Sequence, residues 1–202
     1  MAAVIGLVIS ANVGGNAMVW HFRFGYTVFS LLLFRIVWGF IGGHYSRFGT
    51  FIFAPSSIMA YLQGRGKPEH GVGHNPLGAG SVFALLGFLM LQVASGLFSD
   101  DEIAFAGPLT KFASAARVGL ATWYHKEVGK VVLIVLVLLH VAAIVFYLRK
   151  KRENLITPML VGDKELGFAA PASRDDAKTR GVAAVVFALC CAVVAYVVGL
   201  GA

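Results

Sequence analysis

None of the four longest apolar runs in this sequence, at 22–42, 77–98, 128–148 and 181–200, contains an aspartate or a glutamate. A cation buried in one of them therefore has no carboxylate partner within these runs. Cysteine is scarce too: Cys190 and Cys191 are the only two, adjacent in sequence. Helical neighbours point about 100° apart and form no ordinary disulfide, so the pair reads as small apolar packing residues, silent about redox compartment. Charged residues make up 13% of the chain against 58% hydrophobic, and the mean hydropathy is +0.77, which argues against a soluble globular domain. Catalytic signatures are missing as well. No serine stands with a base and a carboxylate, and GRGKPEHGVGHNP lacks the strand-to-helix setting of a phosphate loop. Zinc needs three or four ligands converging at about 2 Å, which histidines spread over different depths do not offer. No run has the layout of a cleavable signal sequence, and there are no internal repeats or low-complexity tracts.

What is present is length. About 20 apolar residues at 1.5 Å each cross the roughly 30 Å hydrocarbon core, and all four runs reach that. The expected architecture is an all-α integral membrane protein, one membrane-embedded domain over 1–202. It is a bundle of four to five transmembrane helices: a partial one at 1–11, then 22–42, 77–98, 126–148 and 181–200. Residues 1–11 supply only about 16 Å of helix before Asn12 and the Gly14-Gly15-Asn16 turn. The first helix is thus expected to be truncated, with the native frame starting upstream of Met1.

The net charge of +7 raises nucleic acid as a partner, but the basic residues lie in loops, without a groove of interleaved aromatics, so none is expected. Arg47, Arg65, Lys67, Arg149, Lys150, Lys151, Arg152, Lys164, Arg174, Lys178 and Arg180 fall on one side of the spans. Arg23, Lys111, Arg117, Lys126 and Lys130 fall on the other. Eleven against five places loops 43–76 and 149–180 in the cytoplasm and 98–125 outside. The inner loop, with a short interfacial helix expected over 56–62, carries His44, His70 and His74, which read as solvated or headgroup-facing. The run 77–98 is rich in small residues, among them Gly78, Gly80, Gly87, Ser95 and Gly96, which allow close packing or room for a cofactor. Asp100, Asp101 and Glu102 open the outer loop, either as a docking patch for a basic partner or as a solvated loop.

Three histidines stand at two depths. His125 lies at the mouth of a span and His140 deep within the same one, fifteen residues on, about 22 Å away and within about 60° in phase. His21 lies at the level of His125 on another helix. Each outer histidine is followed four residues later by glycine, Gly25 and Gly129, so a side chain is missing beside each ring and a flat macrocycle can approach the backbone there. Bis-imidazole ligation of haem iron needs one histidine from each of two facing helices at matching depth, which His21 and His125 supply. The alternative for each is a hydrogen bond to a carbonyl or hydroxyl of a neighbouring helix. Arg35, the charge lying well inside a span, sits about 21 Å below His21, near the level of His140. A cofactor carboxylate would neutralise it.

WHFRFGY, LLLFRIVWGF, GHNPLG, SDDEIAFAGPL, the paired His125 and His140, and the exit YLRKKRENLI together resemble the bacterial di-haem cytochrome b561 family, which is grouped with the b-type cytochrome subunits of nickel-iron hydrogenases. The resemblance covers most of residues 12–160. It implies an electron-transfer haem protein rather than an enzyme, holding two haems b in the bacterial cytoplasmic membrane. Its partners would be the membrane quinone or quinol pool and a c-type cytochrome or other redox subunit such as a hydrogenase. By position, His21 and His125 match the outer haem's ligands and His140 one inner ligand. The family's remaining inner histidine, near the start of its first helix, has no counterpart here. A haem-free helical anchor or assembly subunit is the alternative function.

Overall fold

The computed structural model describes residues 2–66, 68–164 and 166–201. Met1 and Lys67, which enter the first-helix and charge readings, lie outside the described residues. The fold is all-α. Helix α1 (Ala2–Val13) stops where Gly14 and Gly15 take positive φ of 67° and 51°, left-handed backbone that glycine adopts without steric cost. The reversal folds α2 (Met18–Ile41) back against α1. After the short α3 (Pro55–Leu62), α4 (Pro76–Leu97) starts with proline in its first turn, and the Asn75 side chain accepts the Gly78 N–H at 2.8 Å. Helix α5 (Ala115–Trp123) runs through a π-helical stretch, Tyr124–Gly129, into α6 (Lys130–Phe146) and a second such stretch, Tyr147–Lys151. Then follow α7 (Ile156–Val161) and α8 (Ala177–Gly199), the latter capped by Asp176, which accepts the Thr179 N–H at 2.7 Å.

Among the described residues four stretches are long and apolar enough to cross a membrane: Gly15–Ile41, Pro76–Leu97, Ala115–Lys151 and Ala177–Gly199. Together they form the multi-pass helical bundle expected from the composition. The third is a continuous rod of 37 residues and begins earlier than 126, because Ala115, Ala116, Leu120 and Ala121 are good helix formers and carry the helix outward past the apolar run.

Helix α2 is the hub: α1, α4 and α8 all pack on it, and α6 is reached through α4. Among the described residues the buried core is small, with Val28, Ser30 and Leu32 on α2, Pro76 and Ala79 on α4, Cys190 and Val194 on α8, Ser10 on α1, and Phe51 beneath. Leu138 and Leu139 of α6 point outward at 63% and 62% exposure, which acyl chains rather than water would cover. Cys190 is buried and neither cysteine is bridged, in keeping with the packing reading.

At the His125 end the loop folds tightly. One Asp101 carboxylate oxygen accepts the N–H groups of Ile103, Ala104 and Phe105, each at 2.9 Å, and these bonds hold the Asp101 carboxyl below its usual range. The Phe105 ring then lies 6.0 Å from Phe22, over the mouth of α2. At the other end the Tyr45 hydroxyl donates to the Pro171 carbonyl at 2.7 Å. Lys164 Nζ lies 2.7 Å from both Glu153 Oε1 and the Gly71 carbonyl. The segment after α7 is thereby strapped over the 43–74 loop.

Candidate functional site

The two histidines assigned to one depth from the sequence are brought together with their rings nearly perpendicular. The His21 ring on α2 and the His125 ring on the α5–α6 rod have centroids 6.1 Å apart and planes at 86°. Two imidazoles binding one metal from opposite sides at about 2 Å place their centroids about 6 Å apart, so the spacing suits an ion between them. Each ring is oriented by a backbone carbonyl. His21 Nδ1 donates to Leu7 O at 3.1 Å and His125 Nδ1 to Gln92 O at 2.9 Å. A carbonyl oxygen only accepts, so Nδ1 carries the proton in both rings and Nε2 keeps its lone pair. The helix-to-helix hydrogen bond weighed above as the alternative to ligation is thus present at both rings, and a bond through Nδ1 is compatible with a metal on Nε2.

The surroundings of His125 are built by α4. Ser95 Oγ lies 3.3 Å from its Nδ1, and the Gln92 side-chain amide donates to its backbone carbonyl at 3.0 Å. A Cβ placed on Gly96 would fall 2.7 Å from His125 Cε1, so only glycine leaves this ring its place. His125 itself sits in the π-helical stretch, where an extra residue per turn re-aims the side chain. Of the two glycines singled out in the sequence, Gly25 faces α1, with Leu7 the nearest neighbour to a would-be Cβ at 3.9 Å. The space at Gly129 is filled by the side chain of Gln92.

His140 lies elsewhere, with Nδ1 3.2 Å from Ser81 Oγ on α4. Among the described residues no histidine ring packs against it. The Arg35 guanidinium donates to Ser46 O at 3.1 Å and lies over the Phe48 ring, 4.8 Å from its centroid. His74 departs from the solvated reading. It packs on Phe51 at 4.5 Å, its Nδ1 is buried without a hydrogen-bond partner among the described residues, and burial first, then the Arg35 charge, push its pKa below the ordinary value. With His44 and His70 it lines a cavity of about 280 Å³ under the 168–171 strap.

A family model described as prokaryotic cytochrome b561 matches residues 1–162. The chain belongs to the prokaryotic cytochrome b561 family. It is 26% identical over 166 residues to a probable Ni/Fe-hydrogenase B-type cytochrome subunit of Bradyrhizobium diazoefficiens, which covers 72% of this chain and 65% of the relative. A protein of the same description from Azotobacter vinelandii is 28% identical over 163 residues, covering 70% and 65% respectively. The chain thus spans about 65% of the length of these curated relatives. No solved structure matches it at a significant level.

Membership of a b-type cytochrome family implies haem b and electron transfer. The residues at the His21–His125 site fit that group: two imidazoles 6.1 Å apart, each with Nδ1 on a backbone carbonyl and Nε2 without a hydrogen bond among the described residues, and a glycine against one ring. Sequence reasoning missed Leu7 and Gln92 as orienting groups and left Gly96 among the small residues that allow close packing or room for a cofactor, without tying it to the His125 ring. One signal was available for Gln92, the lone side-chain amide in the four apolar runs.

Proposed function

We propose that this protein is a b-type cytochrome subunit of a bacterial cytoplasmic membrane. It passes electrons between the quinone pool and a redox partner such as a c-type cytochrome or a hydrogenase. His21 and His125 are the axial ligands of an outer haem b, His140 contributes to an inner one, and Arg35 pairs with an inner propionate or tunes the inner potential through its charge. The positive-inside bias orients the His125 end outward.

The observation that carries this reading is the facing pair at 6.1 Å, each ring held by a carbonyl on Nδ1. Haem b supplies reversible one-electron chemistry when bound, and the chain does the rest. Leu7 and Gln92 hold the rings so that both Nε2 atoms are available, which favours a six-coordinate, low-spin iron. The apolar helices around them keep water away.

The test is a pyridine haemochrome assay with a dithionite-reduced spectrum on the protein purified from membranes. Bound haem with sharp low-spin bands is expected. A chain inserted in the membrane with no haem would hand the case to the haem-free anchor.

A further inference from the structure

The α5–α6 rod ends in four consecutive cations, Arg149, Lys150, Lys151 and Arg152, all of them exposed. Arg152 takes left-handed backbone at φ 57°, which stops the helix there. Among the described residues the ion pairs are Lys164–Glu153, Arg174–Asp176 and Arg180–Asp175, so no cation of the run has a carboxylate partner. The carboxylate next in sequence, Glu153, is already held by Lys164 at 2.7 Å.

Two helices with exposed apolar side chains adjoin this run. Helix α7 follows at once, its first turn held by the Asn154 side chain, which accepts the Ile156 and Thr157 N–H groups at 3.0 and 3.2 Å. It exposes Met159, Leu160 and Val161, Leu160 to 80%. Helix α3 is tied to the foot of the rod by the Tyr61 and Tyr147 hydroxyls, 2.8 Å apart, and exposes Met59 and Leu62. Cations alone would make a solvated surface. Unpaired cations beside exposed apolar chains match the boundary of a bilayer, where headgroups give way to acyl chains.

We propose that this end of the bundle binds the headgroup of an anionic phospholipid, with α7 seated in the headgroup layer. The proposal goes beyond electron transfer and stands whether or not haem is bound. Arginine forks hold phosphate oxygens in pairs and lysines act as point charges, so the run suits a phosphate that carries a net negative charge. A choline headgroup brings its own cation beside the phosphate, which the run repels. An acidic protein surface would answer the charges and leave Leu160 to water. A bound headgroup also anchors the root of the strap, because Lys164, just past α7, bridges Glu153 and the Gly71 carbonyl.

The test is native mass spectrometry of the full chain released from nanodiscs of equal phosphatidylglycerol and phosphatidylcholine, with the retained lipids identified and counted. Phosphatidylglycerol should be retained in excess, and the excess should shrink as salt is raised before release. A cation at the headgroup level is worth about fivefold in binding, so Arg149→Gln combined with Arg152→Gln should cut the excess about 25-fold. Arg174→Gln combined with Arg180→Gln removes the same charge where both cations already have carboxylate partners, and should leave the excess unchanged. Leu160→Gln keeps every charge, and with it the topology, and should weaken retention of phosphatidylglycerol; it carries the test if the first variant inserts wrongly. Equal retention of the two lipids, equal losses from the two arginine pairs, or a Leu160→Gln variant that behaves as the parent would overturn the assignment. Chain dimers lost on Arg149→Gln and Arg152→Gln, with no lipid preference, would overturn it in favour of a second copy of the chain.

Discussion

The imidazoles of His21 and His125 meet from α2 and the α5–α6 rod with centroids 6.1 Å apart and planes 86° to one another. An iron held between rings at this angle would have two d orbitals nearly equal in energy, and its ferric form should give a strongly anisotropic low-spin electron paramagnetic resonance signal. His125→Ala should abolish that signal together with the haem held there while the bundle still inserts, since the ring is an addition to a helix that crosses the membrane on its own apolar length. Haem content and the resonance spectrum of the purified variant check this, and an unchanged spectrum removes His125 from the ligand set.

Gly96 tests the cradle without touching a ligand. A methyl at this position falls 2.7 Å from His125 Cε1 and 3.1 Å from Nδ1, so the ring must shift from its carbonyl partner. Gly96→Ala should lower haem content and cost about 1–3 kcal/mol in stability, the usual range for overpacking. Gly80 lies on the same helix with nothing within 4 Å of a would-be Cβ, so Gly80→Ala should leave haem content unchanged. Haem per chain and thermal unfolding in detergent compare the two.

Among the described residues the Arg35 guanidinium makes one hydrogen bond, to Ser46 O, and lies over the Phe48 and Phe51 rings, which leaves the rest of its donor fork available. Removing its positive charge should lower the potential of the nearer redox group, because a cation favours the reduced state of its neighbour. On the two-haem proposal, Arg35→Leu should therefore shift the inner haem more than the outer, about 21 Å above it, and Arg35→Lys should restore most of the shift. A redox titration of each variant decides this, and potentials that stay put would dismiss the role assigned to Arg35.

The helices and the histidine pair were legible because both rest on local arithmetic. Hydrophobic length marks a span, and residue spacing along a helix fixes depth. The orienting groups were not legible, since Leu7 and Gln92 reach the rings from other helices and no periodicity reports which helices touch. The early start of the rod at Ala115 was missed because apolar length was taken as helix length, whereas a helix continues as far as its residues favour the conformation. The loop histidines were read together as solvated or headgroup-facing. Burial in a glycine-rich loop has no sequence period, and His74 is set apart by its buried Nδ1 and the nearby Arg35 charge, while His44 and His70 also pack on aromatic rings.

That burial makes His74 a source of acid sensitivity. The ring lies below its ordinary pKa of 6.5 because burial disfavours the imidazolium and the nearby Arg35 charge repels it, and His44 and His70 line the same cavity. In the unfolded chain the ring takes up a proton near 6.5, so below that pH the unfolded state binds more protons than the folded one and stability falls. The stabilisation is fully present above pH 6.5 and is lost progressively as the pH drops below it. His74→Gln keeps a neutral polar side chain at every pH, so its unfolding temperature should decline less than that of the parent between pH 7 and pH 5. The comparison isolates this ring, because groups that titrate elsewhere in the chain contribute equally to both proteins. Parallel declines would mean that the folded protein accommodates the His74 imidazolium as readily as water does.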